Sequence, residues 1–242
     1  MLNLSQSTQL PDRGPKPSLT KPSLDEGLAQ LKEKVLFMAG FATLAVSRSV
    51  NALVQRDDEG AWRVTDDDDQ IDRLELEIDQ LAVRLLAHAP PAAEVRFITV
   101  AMRFCHELER VGDEATAISR RVLALNLEPP LQHSVDFSKM ATLGLEMLQD
   151  SLHAFVNGEP DKARAIVARD KAVDAINKQL HRELTERISK EPAALGRCLD
   201  LMSIAKRLER VADHAKGLAE AVVYLYEACD IRHSARLLAE TI

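Results

Sequence analysis

The chain has 242 residues, 46% of them hydrophobic and 29% charged, with a formal net charge of −7. That is long enough for one large domain or two small ones, and the acidic balance excludes a global basic field for a nucleic-acid backbone or an anionic membrane. Cys105, Cys198 and Cys229 are odd in number and in no CxxC pattern, which argues against a disulfide framework or a thiolate zinc site.

Aromatic residues make up only 4% of a composition rich in Ala, Leu, Glu and Arg, so an all-α fold is expected. Residues 1–24 hold Pro11, Pro15, Pro17 and Pro22 and read as a disordered leader without a secretory hydrophobic core. The other prolines, with Gly60 and Gly158 as further turns, delimit six predicted helices at 26–57, 66–89, 92–127, 134–157, 161–190 and 193–229. In the first, the longest apolar run, Val35 to Val46, is short of the roughly 20 residues that span a bilayer. The protein is therefore expected in the cytoplasm, without direct membrane insertion. The second carries Ile71, Leu74, Ile78, Leu81 and Leu85 at helical spacing. The third alternates steps of four and three through Phe97, Ala101, Phe104, Leu108, Val111, Ala115, Ile118, Val122 and Leu125. The sixth repeats that seam from Leu201 to Leu225, the pattern of helices packing side by side.

The two halves align. Leu108–Ala115 (LERVGDEA) matches Leu208–Ala215 (LERVADHA) at an offset of 100, while Asp68 and Asp72 match Asp170 and Asp174 at an offset of 102. Two tandem three-helix bundles follow, at 25–128 and 131–230.

Each half repeats the same acids. Glu109 with Asp113, and Glu209 with Asp213, form ExxxD pairs on the third helix of each half; Asp68 with Asp72, and Asp170 with Asp174, form DxxxD pairs on the second. Glu146 and Asp150 add an ExxxD on the fourth helix. A four-residue spacing puts both carboxylates on one helical face. Adjacent like charges there cost about 0.2–0.5 kcal/mol per pair unless cations intervene. The pairs flank the seams, so neighbouring helices bring acidic faces together, with Glu75 and Asp79 extending one stripe and Asn177 and His181 the other. Oxygen-rich sets of this kind suit magnesium, calcium, manganese or iron, with zinc possible. The bland reading is a solvated face neutralised by Arg73, Arg110, Arg120 and Arg210. His106, His181 and His214 read as ordinary polar residues.

Through Leu108–Ala115, Leu208–Ala215, the segment DDQIDRLELE and the segment DKAVD, the chain resembles the PhoU family of phosphate-uptake regulators across roughly residues 27–228. The resemblance implies surface metal clusters, of iron, zinc or manganese, held by the E/DxxxD motifs. It further implies a non-enzymatic role repressing the phosphate-starvation response, by contact with a phosphate ABC transporter ATPase and a sensor histidine kinase, and often a homodimer. Two other readings compete: a ferritin-like di-iron carboxylate enzyme, which needs inward Glu-x-x-His motifs that the chain lacks, and a metal-free helical scaffold.

Overall fold

The computed structural model describes residues 23–131 and 136–232, so most of the predicted leader lies outside the described residues. Among these the chain is helical: α1 (Leu24–Gln55), α2 (Asp58–Leu86), α3 (Ala92–Asn126), α4 (Phe137–Asn157), α5 (Pro160–Val167), α6 (Asp170–Lys190) and α7 (Leu195–Glu227), with a 3-10 turn at Pro192–Ala194 before α7. The expected all-α architecture of two tandem three-helix units holds. In the first unit α1, α2 and α3 pack on one another; in the second α4, the pair α5/α6, and α7 do the same.

Local chemistry sets the helix ends. Ser23 and Glu26 form a reciprocal capping box at the start of α1, satisfying two backbone donors that would otherwise be orphaned. Gly158 ends α4 in the left-handed conformation (φ 69°), where glycine carries no Cβ penalty. Gly60 does not mark a turn. That turn lies at Arg56 (φ 55°), and Gly60 sits in the first turn of α2, which starts at Asp58 and not near residue 66. Arg56 is held there by its guanidinium, which donates to the carbonyls of Leu125 (3.1 Å), Asn126 (2.9 Å) and Glu128 (2.6 Å) at the end of α3.

The predicted 161–190 helix is two helices, interrupted at Ala168–Arg169. Arg169 is drawn onto Asp150 and, at 3.2 Å, onto Glu146 of α4. The repeat offset of 102 maps this contact onto Arg48–Asp67 in the first unit, where Arg48 Nη1 reaches Asp67 Oδ1 at 2.6 Å. The same inter-helix ion pair thus occurs in both units with its charges exchanged. Asp67 is only 5% exposed, so its carboxylate depends on this partner. Arg48→Ala is expected to cost about 1–3 kcal/mol by orphaning it, and Arg48→Asp/Asp67→Arg to recover most of the loss in urea unfolding. No recovery would show that the contact is incidental.

The seams lie inside. Phe104, Leu108, Val111, Ala115, Ile118 and Val122 of α3 are buried, as are Ile204, Leu208, Val211, Ala215, Leu218 and Val222 of α7. α3 and α7 run antiparallel against each other, joining the units through paired contacts. His214 Nδ1 lies 2.7 Å from Glu107, and the buried Glu114 accepts from Arg207 (2.9 Å) and Arg210 (3.2 Å). At an offset of 100, Glu107 corresponds to Arg207 and Glu114 to His214, so the two contacts exchange under a local twofold axis. One described helix, α1, is long and apolar enough to cross a membrane by length and composition; half of its most apolar window is buried inside the bundle, consistent with a core helix.

Candidate metal centres

α2 and α3 are antiparallel neighbours, and their acidic flanks meet. Gly112 permits a close approach: a Cβ there would stand 2.8 Å from Ile71 Cδ1 and 3.1 Å from Asp68 Oδ1. Asp68 of α2 therefore lies against α3, near Asp72, Asp113 and Thr116, while Glu109 lies near Asp113, Glu75 and His106. The Asp68 carboxyl is pushed above the ordinary carboxylate range, first by burial and then by the charge of Asp72. Glu109 is raised likewise, by burial and then by Asp113, with Arg110 opposing. The buried Cys105 thiol, one turn below Glu109, is pushed up to about 12 by burial and the charges of Glu75, Asp79 and Glu109, so it is inert at neutral pH.

The corresponding face of the second unit lies between α6 and α7. Asp170 accepts from Lys216 at 2.9 Å, Asn177 Nδ2 donates to Glu209 Oε2 at 3.2 Å, and Lys206 also pairs with Glu209. Asp213 is raised by burial and by the charges of Asp170 and Glu209, against the opposing pull of Lys216 and Lys206. Asp174 is half-buried one turn from Asp170 on the same helix.

Eight of the ten acids read from the sequence thus fall on two faces: Asp68, Asp72, Glu109 and Asp113 on the first, and Asp170, Asp174, Glu209 and Asp213 on the second. Glu146 and Asp150 are bound elsewhere, in the charge-exchanged pair with Arg169. Arg110 partly neutralises the first face, 3.4 Å from Glu109 and 3.3 Å from Asp113, as the bland reading expected, whereas Arg210 turns away to Glu114.

The donor atoms fit cations. Asp170 Oδ1 and Asn177 Oδ1 are buried without a hydrogen bond, and the buried Glu109 Oε2 has only the Arg110 guanidinium, at 3.4 Å. Buried oxygens of this kind are costly unless a donor or cation meets them. On the first face, ligand atoms of Glu75, His106 and Glu109 lie within 4.8 Å of one another. His106 carries no signal taken singly, but its position three residues before Glu109 places both on one helical face. Lys206 pairs with Glu209 three residues along its own helix, whereas Lys216 reaches Asp170 on the neighbouring α6. Both acidic faces lie on the shoulders of the bundle and not in its core, where a di-iron enzyme carries its carboxylates.

A PhoU domain model matches the chain twice, at residues 35–122 and 137–222. The phosphate-specific transport system accessory protein PhoU homolog of Pseudomonas aeruginosa is 35% identical over 208 residues, covering 85% of this chain and 86% of that protein. The protein of the same description from Aquifex aeolicus is 35% identical over 207 residues, covering 85% of this chain and 94% of that one. Two crystal structures superpose closely. One, of PhoU from Pseudomonas aeruginosa, has a TM-score of 0.83 at 33% identity, covering 86% of this chain and all of the other. The second, of the phosphate transport system regulatory protein PhoU from Streptococcus pneumoniae, has a TM-score of 0.80 at 29% identity, covering 86% and 99%.

Proposed function

The chain belongs to the PhoU family, and from that premise we propose that it regulates phosphate uptake and the phosphate-starvation response by binding other proteins. Its partners in this reading are the ATPase of a phosphate ABC transporter and a sensor histidine kinase, met on the cytoplasmic side of the membrane, with the chain acting as a homodimer. The observation that carries the proposal is the double match to the PhoU domain, supported by relatives named as accessory proteins of the phosphate-specific transport system. Its chemistry is compatible with such a role: the two faces are acidic and lie on the shoulders of the bundle.

In this reading the α2/α3 and α6/α7 faces hold metal ions. A bound cation would neutralise clustered carboxylates that otherwise repel one another and would fix the relative position of the two helices that carry them. That rigid, charge-balanced surface is what a partner would meet. The test is a deletion strain of the host carrying an alkaline phosphatase reporter. The reporter is expected to be derepressed in phosphate-replete medium and repressed again by the wild-type chain. Persistent repression in the deletion strain contradicts the proposal.

A further inference from the structure

Between α6 and α7, on the flank turned towards α3, lies a surface cavity of about 310 Å³. Ser203, Lys206, Arg207 and Arg210 enter it from one face of α7, and His181 reaches it from α6. Leu199, 53% exposed, and Met202 give it an apolar side. Among the described residues no carboxylate lines it, although the chain has 38 acidic residues to 31 basic ones. The carboxylates that balance these cations stand behind them. Glu114, whose side chain is 7% exposed, accepts from Arg207 at 2.9 Å and from Arg210 at 3.2 Å, and the partly buried Glu209 holds Lys206. Each arginine gives one Nη1 to Glu114. A guanidinium carries five N–H donors, so both have donors beyond that contact.

Independently of the metal reading, we infer that this cavity binds a phosphoryl group, as free phosphate or as the phosphate of a small organic molecule. Charge is the first argument: Lys206, Arg207 and Arg210 against Glu114 and Glu209 leave the site net positive in an acidic chain. Donor geometry is the second. Planar guanidinium forks match phosphate oxygens two at a time, and the lysine adds a point charge. Arginines already held by a buried carboxylate also lose less freedom on binding than unheld ones. Size is the third. The volume lies at the lower end of small-molecule sites, about 300–1,000 Å³, and leaves room for a group attached to the phosphate, against Leu199 and Met202. The repeat does not impose this chemistry. At the aligned positions the first unit has Asp79 for His181, His106 for Lys206 and Glu107 for Arg207, although Arg110 matches Arg210 and Arg103 stands for Ser203. The corresponding corner of the first unit thus carries two carboxylates of its own.

The test is isothermal titration calorimetry of the chelator-treated full chain in phosphate-free buffer, with inorganic phosphate and adenosine monophosphate as probes at matched ionic strength. Saturable binding at one site per chain is expected, weakening as salt rises. Ser203→Asp, which sets a carboxylate among the cations at a half-buried helical position, is expected to weaken binding by about tenfold or more while keeping its helical circular dichroism. Lys139→Gln, on α4 and outside the cavity, is expected to leave binding unchanged. Equal affinity for the two probes assigns the free ion. Tighter binding of adenosine monophosphate that Leu199→Ser abolishes assigns an organic phosphate. No saturable binding of either probe, or binding that Ser203→Asp leaves intact, overturns the inference.

Discussion

Phe104→Ala is expected to destabilise the chain by about 3–5 kcal/mol, the range for emptying a buried aromatic site. The ring is fully buried on α3, with its centroid 4.5 Å from that of Phe155 on α4, which in turn stacks on Phe97 at 5.9 Å. Phe104 belongs to the first unit and Phe155 to the second, so the cluster fastens one unit to the other. The cavity left by alanine would face residues from both units, and neither could collapse to fill it without moving the other. Urea unfolding followed by circular dichroism measures the loss. A change under about 1 kcal/mol, within the range of surface substitutions, would mean that the units carry their stability separately.

Neutralising the acidic faces is expected to stabilise the metal-free protein. Asp68, Glu109 and Asp213 all have carboxyls raised in the folded chain, with burial as the largest cause and neighbouring carboxylates next. A raised carboxyl binds its proton more tightly in the folded state than in the unfolded one. Stability therefore falls as pH rises from the ordinary carboxylate range through the raised value, and the full penalty remains at neutral pH. Chelator-treated wild type should gain stability on mild acidification. Asp68→Asn/Glu109→Gln should be more stable than wild type at neutral pH and show a flatter pH profile. Adding metal should reverse the order, because a ligand that binds only the folded state stabilises by about 2.7 kcal/mol at a hundred times its dissociation constant. Thermal unfolding with and without chelator measures both effects. A metal-free double variant less stable than wild type at neutral pH would show that these carboxylates are satisfied without a cation.

Much of the fold was legible because prolines and heptad seams are local signals. Pro90 and Pro129 lie between helices, Pro160 opens α5, and Leu108 and Leu208 are buried where their periods put them. The failures arose where a distant residue decided a local outcome. The turn expected at Gly60 lies at Arg56, because the carbonyls at the end of α3 hold its guanidinium. Glu146 and Asp150 are diverted by a single arginine recruited across helices; the contact alone does not break a helix, since the equivalent Arg48–Asp67 pair leaves α2 continuous. Arg169 lies 19 residues from Asp150, so no local pattern announces the contact. Only the repeat register does, by mapping Asp150 and Arg169 onto Arg48 and Asp67. The paired acids of the second and third helices were legible because four-residue spacing fixes their face. Their pairing was less so, since it depends on contacts between helices such as Lys216 with Asp170 and Asn177 with Glu209.

The most direct test of these acidic faces as cation sites is metal per chain, by elemental analysis after purification without chelator and again after reloading. Wild type would be compared with Glu109→Ala/Asp113→Ala, with Glu209→Ala/Asp213→Ala and with the variant that combines them. The expected result is bound metal in wild type, a partial loss in each double variant, and none in the combination. A wild-type chain that carries no metal even after reloading would contradict it, and would leave the acids as a docking face neutralised by arginine and lysine alone.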